Sequence, residues 1–267
     1  MRGYTSSNTV ADGLQSDTYA SYSIMEELIM FEPMPHIKNE VYLSFLGRSI
    51  DIHWNYHAIL MVTIWLVLVP TFITIIRYGK PKPTLYGLRR QVHVKHIEWW
   101  WFSIHKYGLS FAVLVSLVGV TVALVVSQGF SGSVHAILGM ITVALGVIQL
   151  LAGMLRGTHG GKYYNKADPD DPTTHHGDHY SRTVRRRIFE AYHKTSGYFT
   201  LFCAVGAIGA GLMQYPMPLL AKFCLITPFV FLLFWIIMEF LEKRYDGYRA
   251  VHGYGMEHPY NKEREFL

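Results

Sequence analysis

Charge is scarce in this sequence, and so is cysteine. Only 16% of the 267 residues are charged, against about a quarter in soluble chains, which argues against a soluble domain of this length. Both cysteines, Cys203 and Cys224, fall inside apolar runs, and there is no Cys-x-x-Cys-His. A disulfide framework and covalent c-type haem attachment are thereby excluded. Residues 1–22 are polar and lack the apolar core of a cleavable signal peptide, so membrane insertion is expected to rest on internal spans. The formal charge of +5 sits mostly in loops between apolar runs. That distribution marks membrane topology and argues against a nucleic-acid partner.

What the chain does have is apolar residues, 51% of the total, gathered into five runs. Spans are expected over about 56–76, 102–126, 134–155, 192–213 and 219–240. Each is on the order of 20 residues, enough to cross ~30 Å of hydrocarbon. Pro70 and Pro228 lie within spans, and Trp99, Trp100 and Trp101 suit an interfacial belt. The fold class is thus an all-α membrane protein. Its expected parts are a polar N-terminal tail (1–50), a transmembrane domain (51–245) and a C-terminal tail (246–267). Within the tail, 23–31 has the composition of a short amphipathic helix, for the membrane surface or for a partner subunit.

The connections 127–133 and 214–218 carry no Lys or Arg, whereas 77–101, 156–191 and the C-terminal tail are basic. The positive-inside rule places the basic side in the cytoplasm or its organellar equivalent, with the N-terminus outside.

Four histidines stand near the starts of four spans: His57, His105, His135 and His193. The first and third open the same tetrapeptide, His-Ala-Ile-Leu, and the other two precede Lys106 and Lys194. Helices that alternate in direction bring His57 and His135 to the outer face, and His105 and His193 to the inner face. The layers lie roughly 18 Å apart along the membrane normal. An imidazole offers one nitrogen to a metal, and low-spin haem iron takes two such axial ligands. Two haems are therefore expected, an outer one on His57/His135 and an inner one on His105/His193. A hydrogen-bonded structural role competes for any single histidine, but four at matched depths favour ligation.

Gly139 follows His135 by four residues, Gly197 follows His193 by four, and Gly108 follows His105 by three. These offsets share a helix face, leaving room either for a porphyrin edge or for close helix packing. Gly146 and Gly153 continue the series. Lys106, Lys194, Arg77 and Arg156 are candidates for the inner propionates, with snorkelling at the membrane edge the competing role. Arg48, Trp54 and Lys222 are the outer candidates. His53, His93 and His96 compete as ligands by register but are expected in the headgroup zone. His175-His176-x-x-His179, after Asp168, Asp170 and Asp171, has metal-binding spacing, yet a solvated loop is the better expectation. Glu239 is expected at the interface.

Taken together, the motifs resemble the cytochrome b561 family. His57-x-x-x-Met61-x-x-x-Trp65, closing on Pro70 and Arg77-Tyr78, is similar to its first core helix, closest to the branch fused to DOMON domains. Trp101-Phe102-x-x-His105 is similar to the second. His135-x-x-x-Gly139, with Gln149 and Leu155-Arg156, is similar to the third, and His193-x-x-x-Gly197-Tyr198 to the fourth. The resemblance covers about residues 50–245, and no DOMON domain lies within these 267 residues. It implies a four-helix haem-binding core plus a fifth transmembrane helix, two b-type haems and transmembrane electron transfer. The expected function is a di-haem carrier, an oxidoreductase component exchanging electrons with a quinone (quinol) or a redox partner protein. An accessory subunit of a larger respiratory or photosynthetic complex is the alternative. Binding of chlorophyll-type pigments is a weaker one, since their magnesium takes one protein ligand.

Overall fold

The computed structural model describes residues 39–43, 46–52, 54–85, 87, 99–127, 129–163, 166–168, 170–255 and 258–265. The segment 23–31 and the residues His53, His93 and His96 lie outside that set. The chain divides into two compact units, Met1–His53 and Trp54–Leu267.

The described part of the first unit is an antiparallel hairpin, a departure from the all-α expectation. Strands β1 (Asn39–Leu43) and β2 (Arg48–Ile52) pair with Asn39 opposite Ile52 and Leu43 opposite Arg48. Gly47 closes the turn at φ 62°, a conformation that glycine adopts without steric cost. Val-Tyr-Leu and Ser-Ile-Asp-Ile are β-prone runs, but a short hairpin in a polar tail sends no strong hydropathy signal.

The second unit carries five helices long and apolar enough to cross a membrane, so the protein is multi-pass. They are α1 (Trp54–Tyr78), α2 (Trp100–Val126), α3 (Val134–Met154), α4 (Val184–Gln214) and α5 (Pro218–Phe240). The apolar runs place all five. Helix α1 relaxes to π geometry over Thr63–Leu68, just ahead of Pro70. A proline ring displaces the carbonyl one turn back and offers it no N–H, and a wider turn absorbs the misfit. The Thr71 and Thr74 hydroxyls then donate to the carbonyls of Val67 and Pro70, at 2.7 and 2.8 Å.

Helix α4 begins earlier than its apolar run, at Val184, with the Thr183 hydroxyl accepting from the Arg186 N–H. Its first turns are basic and project beyond the apolar stretch. His193 therefore lies nine residues inside its helix rather than near its start.

A core of Ile64, Trp65, Val69, Ala112, Val143 and Ala204 fills the middle of the four-helix group. Helix α5 buries none of its most apolar window. It is fastened to α1 by Arg77 and Tyr78, which both donate to the Glu239 carboxylate at 2.6 and 3.0 Å, and by Trp235 Nε1 donating to Thr74.

The loop before α4 and the C-terminal tail are not loose. They fold together into a cap containing α6 (Gly247–His252) and α7 (Pro259–Glu265). Asp246 caps α6 by accepting from the N–H groups of Tyr248 and Arg249. The Tyr260 hydroxyl also donates to that carboxylate. Val251 is buried with Trp101 against Ile75, Ile76, Trp99 and Phe102, so the cap sits on the ends of α1 and α2. Gly253, at φ 88°, approaches the Leu85 carbonyl so closely that a Cβ would lie 2.3 Å from its oxygen.

Candidate functional site

The four histidines meet in the two pairs that alternating helices require. The His57 and His135 rings, from α1 and α3, have centres 6.1 Å apart and planes at 87°. Those of His105 and His193, from α2 and α4, lie 6.2 Å apart at 78°. Each pair stands on one side of the buried core. Along the sequence, Ile64 follows His57 by seven residues, and Ala112 follows His105 by seven.

One ring of each pair is oriented by a carbonyl of a neighbouring helix. His135 Nδ1 lies 2.8 Å from the Ala207 oxygen on α4, and His105 Nδ1 lies 3.2 Å from the Phe72 oxygen on α1. A carbonyl only accepts, so Nδ1 carries the proton and Nε2 is left with its lone pair. That is the support a ligating imidazole needs. Nδ1 of His57 and of His193 is buried without a hydrogen-bond partner. Trp54 stands edge-on to His57 at 5.9 Å, and Phe189 stacks on His193 at 5.1 Å.

The spacing of each pair would let two imidazoles share one metal ion. Two bonds of about 2 Å, plus ~1 Å from each nitrogen to its ring centre, put such rings roughly 6 Å apart. Among the described residues no group of three or more His, Cys, Asp or Glu side chains forms a metal site. Each pair is a two-ligand arrangement.

The glycines divide by what surrounds them. A Cβ on Gly139 or Gly153 meets nothing within 4 Å, and one on Gly197 meets only Gln149 Nε2 at 3.7 Å. Gly139 and Gly197, each one turn from a paired histidine, leave space on that histidine's face of the helix. Gly108 and Gly146 are packing positions instead. A Cβ on Gly108 would lie 2.7 Å from the Phe72 ring, and one on Gly146 would lie 3.2 Å from Val113 and 3.4 Å from Trp65. The shared-face spacing is the same for both kinds, so only the neighbouring helix distinguishes them.

The basic candidates are differently occupied. Arg77 is committed to Glu239, with Tyr198 a further acceptor. Lys194 is exposed, with Glu190 4.0 Å away, and Lys106 is exposed beside the Tyr107 ring. Arg156 stacks over Phe102, one turn from His105, at 4.4 Å. That makes it the best placed of the four for an anionic group at the inner pair. Lys222 is exposed. In the His175-His176-x-x-His179 stretch, His175 bonds to the Asp168 carbonyl and His176 is exposed, but His179 is buried. The solvated-loop expectation fails there, because the C-terminal segment covers His179.

Two contributors were missed by sequence reasoning, Gly211 and the Phe72 carbonyl, and a third, Gln149, was named there without a role. Gly211 on α4 touches the His135 ring, where a Cβ would lie 2.8 Å from Nδ1. Gln149 Nε2 donates to the His193 carbonyl at 3.2 Å and to the Ser196 hydroxyl, tying α3 to α4 at the second pair. The Phe72 carbonyl sets the His105 ring. The excess of glycine on α4 could have pointed to Gly211; a backbone acceptor leaves no trace in sequence.

Paired substitutions test this geometry. Gly211→Ala is expected to displace the His135 ring and alter the His57/His135 centre alone. Gly108→Ala should push Phe72, and with it the acceptor of His105, altering the other centre alone. Were haem bound at the pairs, low-temperature absorption or electron paramagnetic resonance of the two variants would separate them. Equal effects on both would contradict the assignment.

No family model, curated protein or solved structure matches this chain.

Proposed function

We propose that the protein is a di-haem b-type cytochrome of the cytochrome b561 kind, carrying electrons between the two faces of a membrane. The observation that carries this reading is the pair of facing imidazoles on each side of an apolar core, at 6.1 and 6.2 Å. When bound, haem supplies a one-electron Fe(III)/Fe(II) couple whose potential follows its axial ligands and burial.

The chain's own residues supply the rest. His57 and His135 hold the outer centre, and His105 and His193 the inner. The Ala207 and Phe72 carbonyls fix two of those rings. Gly139 and Gly197 leave the space that a flat macrocycle needs. Ile64, Trp65, Ala112 and Val143 exclude water between the pairs, so charge crosses this layer as electrons rather than as ions. Arg156, and beyond it Lys194 and Lys106, offset anionic propionates on the basic side, which the positive-inside rule makes cytoplasmic. The exchange partners are a quinone or a redox protein.

The test is a count. Purified protein is expected to show a low-spin bis-histidine spectrum and two haems per chain by pyridine haemochrome. One haem, or none, would reject the reading.

A further inference from the structure

Where the cap meets the ends of α1 and α2, four imidazoles are packed together: His159, His179, His252 and His258. Successive ring centres lie 4.6, 5.0 and 4.7 Å apart. They come from three stretches of chain: His159 follows α3, His179 precedes α4, and the last two belong to the C-terminal segment. The cluster is therefore the seam that closes the cap. His179 Nδ1 and His252 Nε2 are 2.8 Å apart, one donating and the other accepting. His258 Nε2 is buried without a partner. Aromatic rings wall the rest. Trp99 lies against His159 at 4.6 Å, Tyr248 stacks on His179 at 4.3 Å, and Tyr180 lies against His258 at 4.6 Å.

Among the described residues, no carboxylate at this seam is free to offset the charge of an added proton. Arg156 and Arg186 face His159, and Arg186 also faces His179. Lys162 and His175 face His252. His258 faces Arg182 as well as Asp246, but Asp246 already caps α6 and accepts from Tyr260. Glu190 is taken by Arg186 and the Tyr248 hydroxyl. Protonating both His179 and His252 leaves two donors facing each other across 2.8 Å.

We propose that this histidine seam is a proton-operated latch: it holds the cap shut over the ends of α1 and α2 at neutral pH and releases it on acidification. Release bares Trp99, Trp101 and Phe102, the last of these one turn from His105.

Burial, helped by the neighbouring cations, pushes His159 down to about 3 and His258 to about 4, and holds His179 and His252 well below 6.5. In the open cap these groups return towards 6.5. Because the closed state binds protons less readily, its stability is full above that value and is lost as pH falls below it. Each histidine then favours opening by up to tenfold per pH unit, so a rise of at least ~100-fold from pH 6.5 to 5.5 is expected for the cluster.

Amide hydrogen exchange on the full chain in nanodiscs, corrected for intrinsic rates, reads this directly. Protection over 248–261 should collapse below pH 6.5 while α3 keeps its own. His258→Phe should stay closed at pH 7 and show a shallower pH slope; His179→Phe is the second variant should the first fail to fold. A flat profile from pH 8 to 5, or an unchanged slope in a folded variant, overturns the latch. Opening by a chelator at pH 7.5 would also overturn it, since the imidazoles would then be holding a metal. Haem content does not enter the measurement, so its failure and that of the proposed function are distinguishable.

Discussion

On the proposed di-haem reading, alanine at His135 is expected to take the haem count from two per chain to one, and alanine at His57 to remove the same centre. The two rings face each other across 6.1 Å from different helices, and loss of either leaves a single axial nitrogen where a low-spin centre takes two. The double variant should then be no worse than either single. That non-additivity is what a shared site produces. His105→Ala and His193→Ala should behave alike on the other centre. Combining His135→Ala with His105→Ala should leave no low-spin haem. Spectra and haemochrome counts check each case, with circular dichroism to show that the helices persist. Single variants that each remove a different centre would break the pairing and the topology with it.

The pairing is legible in the sequence as a matter of parity. Span number sets helix direction, and a histidine near the start of a span therefore sits at a known face. Hydropathy locates the spans themselves, because a lipid-crossing helix must be apolar along its length. The same logic fails where no such constraint operates. The early start of α4 is hidden because Arg185, Arg186 and Arg187 carry no apolar pattern. The cap escaped notice because it is built from polar side chains bonding to backbone several to twenty residues away, with no periodic pattern. Asn261 donates to the carbonyls of Gly253 and Gly255, and Asp178 accepts from the Thr158 N–H. Histidines in a Gly- and Asp-rich stretch read as solvated until a second segment covers them. The π turn before Pro70 was equally silent, since hydropathy is blind to how a helix absorbs a missing N–H.

Leucine at Gly139 should abolish the His57/His135 centre while leaving the fold and the other centre intact. The position is one turn from His135, on its face of α3, and nothing stands within 4 Å of where a Cβ would project. An added Cβ there meets no protein, so a protein without haem should lose little stability. It occupies the space beside the ring that the macrocycle would need. Gly146→Leu is the contrasting variant, seven residues further along the same helix. Its Cβ already meets Val113 and Trp65 at 3.2 and 3.4 Å, and overpacking of this kind costs about 1–3 kcal/mol. It should lower thermal stability and disturb both centres together, because Trp65 lies in the core between them. Gly197→Leu should repeat the Gly139 result at His105/His193. Haem content and melting temperature thus sort the glycines into two groups. Two unshifted haems in Gly139→Leu would mean that this face of α3 looks onto lipid or another protein, and that the space beside His135 belongs to something other than a tetrapyrrole.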